Sequence, residues 1–375
     1  MSGIYIHIPF CKQACTYCDF HFSTSLKRKD ELIDSLVKEI SLRSSYLSDP
    51  HIGTVYFGGG TPSILTQKDL GRMMDSLQHT YQIDTDAEIT LECNPDDLTN
   101  TKLRELKHLG INRLSIGLQS FDETELKWMN RAHTAAESES SVKRAQDAGF
   151  ENITIDLIYG SRFQNMAQWK QTLYKAIALD VKHISAYNLT IEERTKLGHD
   201  FMKEKEPAID DEKSSEFFLE MSEILEKHDF IHYEISNFGK KDFFSRHNTN
   251  YWKGVHYLGL GPSAHSYNGT GRQWNIANNA RYIESIGQGK TDYYETETLG
   301  EKERFNEYML TGLRTMWGVS LDYIKAHFSQ ETYFHFLAEV KKHMEREHIL
   351  EKESIFTLSK NGRLLADRIA SELFI

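Results

Sequence analysis

Three of the chain's four cysteines, Cys11, Cys15 and Cys18, fall within the segment HIPFCKQACTYCDF. Their C-x3-C-x2-C spacing puts three thiols on one short loop behind an apolar run. Thiolates are soft ligands for iron and zinc, and their number separates the chemistries. Structural zinc sites close with a fourth Cys or His, and electron-transfer ferredoxins use four cysteines. A four-iron cubane held by three thiolates keeps one iron open to an outside molecule. Two alternatives stay open at this point. One is a zinc knuckle completed by His7 or His21, the other three unrelated buried cysteines.

Something must hold that loop. Short β-rich runs at Gly3–Ile8, Thr54–Phe57, Glu88–Glu92, Arg113–Gly117, Asn152–Ile158 and His183–Leu189 alternate with helical patterns. Leu32, Ile33, Leu36, Val37 and Ile40 recur at helical spacing. Thr66 and Asp69 form a capping-box pattern ahead of Leu70, Met73, Met74 and Leu77. Leu103, Leu106 and Leu109 run to Gly110, and Ala145 and Ala148 run to Gly149, both natural helix stops. Met166, Trp169, Leu173 and Ile177 make another apolar face. Six strands each followed by helical material predict parallel βα units with right-handed crossovers. A closed eight-unit barrel takes ~250 residues, so six units fit a partial, open barrel, while a doubly wound sheet has the same alternation.

Motif placement favours the barrel, whose active site gathers at the carboxyl ends of its strands. The cysteine loop follows the first strand and Gly58-Gly59-Gly60-Thr61-Pro62 the second. Glu92 ends the third, Gln119 follows the fourth, Asp156 lies on the fifth, and Tyr187-Asn188 lies near the end of the sixth. The glycine run is neither G-x-G-x-x-G nor a Walker loop. Consecutive glycines let a ligand approach the backbone closely and leave N–H and C=O groups to bind it.

Composition bounds the rest. The 375 residues are 39% hydrophobic and 26% charged, as in ordinary globular proteins. A net charge of −11 argues against a general nucleic-acid surface. Three clustered cysteines are no disulfide framework and point to a reducing compartment. There is no basic n-region, His7 and Pro9 interrupt the first apolar run, and no stretch reaches the roughly 18 apolar residues of a membrane span. The expectation is a cytoplasmic protein whose membrane contact, if any, is peripheral.

Three regions are expected: a core over 1–200, an extension over 201–295 and a C-terminal domain over 296–375. The charged segment from Gly198 to Ser214 reads as a linker, with a helix over Ser215–Glu226 after it. From about Glu301 the pattern is helical. Ser320 heads a short helix, Ser354–Leu358 reads as a strand, and Asn361-Gly362 as a turn before a last helix. This tail resembles a winged-helix unit serving as a cover or partner surface.

The cysteine loop resembles that of the radical S-adenosylmethionine (SAM) superfamily. Tyr5–Cys11, Phe57–Pro62, Glu92–Pro95, Arg113–Phe121 and Asn130–His133 narrow the likeness to its coproporphyrinogen-oxidase-like branch, across essentially the whole chain. The resemblance implies a partial (βα)6 barrel in an α/β fold, with a mostly helical, winged-helix-like C-terminal domain. It implies that Cys11, Cys15 and Cys18 hold a [4Fe–4S] cluster whose open iron binds SAM. The loop with Gly59, Gly60 and Thr61 would hold the amino end of SAM's methionine. Tyr5 would lie near cluster and SAM, and Tyr17 beside the cluster. Glu92, Arg131, Gln119 and Asp156 would contact SAM, Asp156 through the ribose hydroxyls. On residues alone, Glu92 or Asp156 is equally a solvated strand end, and Arg131 a surface cation. One departure stands out: relatives continue D-L-I-Y-G with Leu-Pro, and this chain has Ser161-Arg162.

Oxygen-independent coproporphyrinogen III oxidases of that branch carry a fourth cysteine two residues after the third and an amino-terminal extension. Here Phe20 takes the cysteine's place and the first cysteine is already residue 11. The chain resembles instead the HemW family of heme chaperones, which carry H-N-x-x-Y-W, present as His247–Trp252. A neutral imidazole is a good axial ligand for heme iron, and aromatic rings suit a flat macrocycle. Equally, His247 could hydrogen-bond a loop while Tyr251 and Trp252 pack in the core. His256 and His265 are secondary heme candidates. The expected function is delivery of heme to heme-accepting proteins, with an electron donor to the cluster, and homodimerisation left open. The alternatives are oxidative decarboxylation of coproporphyrinogen and a zinc-bound scaffold.

Overall fold

The structure, a computed structural model, describes Met1–Ile375. Its first half alternates strand and helix, with two helices between the fourth and fifth strands: β1 (Ser2–Ile8), α1 (Lys29–Leu42), β2 (His51–Gly59), α2 (Gln67–Thr80), β3 (Gln82–Cys93), α3 (Asn100–His108), β4 (Arg113–Gln119), α4 (Glu123–Trp128), α5 (Ala135–Asp147), β5 (Asn152–Tyr159), α6 (Met166–Ala178) and β6 (His183–Asn188). The six strands pair in parallel and in order, β1 to β6. The capping box of Thr66 and Asp69 forms as read, and Gly110 and Gly149 end α3 and α5 with φ of +82° and +83°.

Period-two alternation explains the wall. Ile4, Ile6 and Ile8 on β1, Val55 and Phe57 on β2, and Ile89 and Leu91 on β3 belong to one buried core under the helices. Leu114, Ile116, Ile153, Ile155 and Ile184 continue it. The intervening residues face inward and are polar or aromatic: Tyr5, Thr54, Tyr56, Glu88, Glu92, Arg113, Ser115, Thr154, Asp156, His183 and Ser185. Closed βα barrels fill this space with branched apolar side chains. Here the lumen is polar from floor to rim.

After β6 come α7 (Lys196–Met202), α8 (Asp211–Lys227), β7 (Ile231–Glu234), β8 (Asn237–Gly239), α9 (Arg246–Trp252), β9 (Tyr257–Leu260), β10 (His265–Tyr267), β11 (Gly271–Asn275), α10 (Asn279–Gly287) and β12 (Tyr294–Thr298). Strand β9 pairs in parallel with β1, and β8 pairs antiparallel with β6. The result is one twelve-stranded sheet ending at β12 and β7, so the barrel stays open. The segment read as a linker holds helix at both ends. Thr195 caps α7 through the Gly198 N–H, Leu197 is buried, and Asp210 caps α8 four residues earlier than expected.

The C-terminal portion runs α11 (Glu301–Leu313), β13 (Val319–Ser320), α12 (Leu321–His327), α13 (Gln330–Glu345), β14 (Ile349–Lys352), β15 (Ile355–Leu358), α14 (Lys360–Arg363) and α15 (Ala366–Glu372). Helix, strand, two helices and a β-hairpin in that order form a winged helix, around a separate core that includes Phe305, Phe336 and Phe356. Ser320 caps α12 as read. Asn361-Gly362 lies in a single helical turn rather than a plain turn, because the Ser359 hydroxyl caps the Gly362 N–H at 3.0 Å.

Candidate functional site

The cysteine loop leaves β1 and is tied down on three sides. Gly60 N–H donates to the Ile8 carbonyl at 2.8 Å and Thr61 N–H to the Phe10 carbonyl at 2.7 Å. Asn130, in left-handed backbone at φ +56°, exchanges bonds with the loop: its amide donates to the Ala14 carbonyl and its carbonyl accepts from Gln13, each at 2.7 Å. Thr16 N–H donates to the Met129 carbonyl at 3.1 Å. All three thiols are half-buried on this loop.

Donors point at the sulfurs. The Thr61 hydroxyl lies 3.5 Å from Cys11 Sγ and the Arg131 guanidinium 3.3 Å from Cys15 Sγ. Asn94 links the two, accepting from Arg131 at 2.7 Å and donating to Thr61 Oγ1 at 3.4 Å. Arg131 also donates to the Gly117 carbonyl at 2.8 Å. Burial raises the Cys11 thiol above its ordinary value and pushes Cys18 up to about 11. Tyr17 packs beside Cys15, Cys18 and Arg131, and burial drives its phenol far upward.

The two histidines that could complete a zinc knuckle are hydrogen-bonded within the chain. His7 spends one nitrogen on Tyr5 at 3.1 Å and the other on the His21 carbonyl at 2.9 Å, while His21 bonds Asn279 at 2.7 Å. Cys93 is buried elsewhere, its thiol on the Leu91 carbonyl. No group of three or more His, Cys, Asp or Glu side chains is gathered tightly enough for a single ion. Three thiols on one loop, with side-chain donors at the Cys11 and Cys15 sulfurs, suit an incompletely ligated cluster.

The glycine run differs from expectation in one respect. Its amides are spent inside the chain, Gly59 on Glu92 Oε2 at 3.2 Å and the next two on the cysteine loop. What the glycines supply is close approach. A Cβ at Gly60 would sit 2.6 Å from the Phe10 carbonyl oxygen, and one at Gly58 would sit 2.9 Å from Glu92 Oε1. Gln119 ends β4 at φ +65°, where the register slips, and its amide and the Arg131 guanidinium both lie over Gly117, 2.9 and 3.3 Å from where a Cβ would sit.

Glu92 accepts from the Tyr56 hydroxyl at 2.8 Å, and Asp156 from Ser115 at 3.2 Å. Desolvation holds Glu92 at about 7, with Asp156 adding repulsion, and desolvation holds Asp156 at about 6. Neither carboxylate has a salt-bridge partner. A desolvated carboxyl pair, Glu92 with Asp156 raising it further, would be eased by a cationic ligand.

His247 is placed below them, on the barrel floor. It is 1% exposed, with Nδ1 on Thr54 Oγ1 at 2.8 Å and Nε2 on the Tyr251 hydroxyl at 2.7 Å. Its ring stacks on Tyr56, centroids 5.1 Å apart. The amides of Arg246 and His247 donate to the Glu88 carboxylate at 3.0 and 2.9 Å, so the start of α9 plugs the lumen. Glu88 also faces Arg113, which bonds Thr154, and Thr154 and Tyr233 hold the two nitrogens of His183. Burial lowers His247 to about 3, leaving a neutral imidazole with both nitrogens engaged. The hydrogen-bonding alternative describes this state of the residue, and iron ligation there requires α9 to give up a bond. His265 lies exposed against Trp274, and His256 is half-buried against Tyr267.

The inner wall was missed in the sequence. Thr54, Tyr56, Glu88, Arg113, Ser115, Thr154, His183 and Ser185 carried a usable signal: polar or tyrosine residues at every second position of five apolar strands, β2 to β6.

A family model described as the radical SAM superfamily matches residues 5–175. The heme chaperone HemW of Bacillus subtilis (strain 168) is 33% identical over 371 residues, 98% of each chain. That of Escherichia coli (strain K12) is 34% identical over 267 residues, 70% of this chain and 69% of its own. The solved structure of the E. coli coproporphyrinogen III oxidase HemN, described as a radical SAM enzyme, superposes with a TM-score of 0.85 at 22% identity, covering 99% of this chain and 89% of that one. That likeness supports the fold. No helix is long and apolar enough to cross a membrane. Membership of the superfamily implies a [4Fe–4S] cluster and SAM. With identity of this level along nearly its full length, the chain belongs to the radical SAM superfamily and, within the coproporphyrinogen-oxidase-like branch, to the HemW family.

Proposed function

We propose that this chain is a heme chaperone: it binds heme, a [4Fe–4S] cluster and SAM, and passes heme to acceptor proteins in the cytoplasm. Similarity to HemW over 98% of both chains carries the reading. Phe20, 72% exposed where the oxidases carry a cysteine, accords with it.

Cys11, Cys15 and Cys18 would hold the cluster, and Thr61 and Arg131 would stabilise charge on its sulfur ligands. Glu92, Gln119, Arg131 and Asp156 would hold SAM, with Gly59, Gly60 and Thr61 framing its methionine end and Tyr5 and Tyr17 walling the space. When bound, the cluster and SAM supply one-electron chemistry at a sulfonium. The chain itself contributes orientation and charge, since an unpaired Glu92 and Asp156 favour a cationic ligand. Residues 1–200 would house this site, 201–295 the HNxxYW motif, and 296–375 a surface for the acceptor or electron donor.

The test is heme titration of anaerobically reconstituted protein, followed by separation from a heme-free acceptor. Transfer of heme to the acceptor is the expected result. Conversion of coproporphyrinogen to protoporphyrinogen with SAM and reductant, without heme transfer, would overturn the reading.

A further inference from the structure

The HNxxYW helix lies at the opposite end of the lumen from the cysteines, yet one side chain joins it to the SAM-facing rim. Glu92 has two donors in the chain, the Tyr56 hydroxyl and the Gly59 amide. Tyr56 is 8% exposed, and its hydroxyl is spent on Glu92. Its ring lies 27° from parallel with the His247 imidazole, and Tyr5 packs against both rings, 6.1 Å from Tyr56 and 6.4 Å from His247. His247 is held by both ring nitrogens and by its own amide. A Cβ at Gly58 would strike Tyr56 and Glu92, both at 2.9 Å, so the pair fits only beside glycine.

We propose that His247 is a positioning residue for Glu92, acting through the stacked Tyr56, so that the HNxxYW motif sets the SAM-side carboxylate from the barrel floor. The inference rests on Glu92 being a SAM contact, as read above. A consequence follows for heme. Iron ligated by His247 takes a nitrogen from Thr54 or Tyr251 and draws the ring off Tyr56. Heme at this residue and SAM at the rim then weaken one another, by equal factors in each direction.

The experiment is equilibrium binding of radiolabelled SAM to anaerobically reconstituted, heme-free protein. Wild type is compared with Tyr56→Phe, His247→Ala, His247→Gln and the Tyr56→Phe/His247→Ala pair. Loss of a hydrogen bond to a charged group predicts about tenfold weaker binding for Tyr56→Phe. His247→Ala is expected to lose about five- to tenfold, and the pair no more than Tyr56→Phe alone, because both act on Glu92 through one route. His247→Gln, whose amide can serve Tyr251, recovers most of the loss. Wild-type affinity in His247→Ala, or a loss that adds in full to that of Tyr56→Phe, overturns the proposal. Glu92→Gln separates the layers: unchanged SAM binding there removes Glu92 as a contact and the inference with it. Should His247→Ala fail to hold the cluster, Thr54→Val and Tyr251→Phe each free one nitrogen, with about a threefold loss expected. Unchanged affinity in both is the overturning result.

Discussion

Glu92 makes the SAM-free protein sensitive to pH in a direction that can be worked out. Desolvation first, and repulsion from Asp156 in addition, raise its carboxyl from 4.5 to about 7 in the folded chain. The folded state therefore binds more protons than the unfolded state between those values, and stability falls as pH rises through that window. Between about pH 5.5 and about pH 8 this cost grows by about 2 kcal/mol at most, and by about 1 kcal/mol once partial solvent contact is allowed for. Glu92→Gln removes the titration and keeps an oxygen for Tyr56. Its amide meets the Gly59 N–H unfavourably, an offset that is the same at both pH values. The informative quantity is thus the change in variant-minus-wild-type stability from the lower pH to the higher. Urea unfolding of the SAM-free protein should show that difference moving in the variant's favour by about 1–2 kcal/mol. A difference that stays constant, or moves the other way, would refute the view that Glu92 is a desolvated carboxylate awaiting a cation.

Other consequences are as direct. Gly60→Ala drives a methyl onto the Phe10 carbonyl at 2.6 Å, so a loss of about 2–4 kcal/mol and of cluster iron is expected in unfolding and iron assays. Heme titration of wild type in saturating SAM should give weaker heme binding than without SAM, and equal affinities would show that the floor and rim are independent. Trp252 contributes its ring to Arg314 at 5.4 Å, but its indole N–H is buried without a partner. Trp252→Phe gives up ring area and the Arg314 contact, so a loss of about 1 kcal/mol is expected in thermal unfolding, and an unchanged midpoint would contradict a stabilising contact there.

The six barrel strands were legible because their outward residues alternate as apolar runs, and the cysteines because their spacing is local. Less visible were features set by distant partners. Thr54 and His247 are 193 positions apart, so the histidine's identity could be read but its occupied nitrogens could not. Helix α7 hid in a charged segment because one buried leucine and one threonine cap suffice to place it. Strands β8, β10 and β13, two or three residues long, are too short for alternation to register. The left-handed Gln119 and Asn130, which aim the rim at the cysteine loop, have no periodic signal at all. The polar lumen was legible in principle, since its residues sit on alternate strand positions, but only once the strands are read as one wall.

On the proposed function, one chain carries both an incompletely ligated iron–sulfur cluster and heme. Quantifying iron, acid-labile sulfide and heme on a single anaerobic, heme-loaded preparation tests it most directly. About four sulfides and about four non-heme irons per chain are expected together with bound heme. Zinc in place of iron, or a full cluster on protein that takes up no heme, would contradict it.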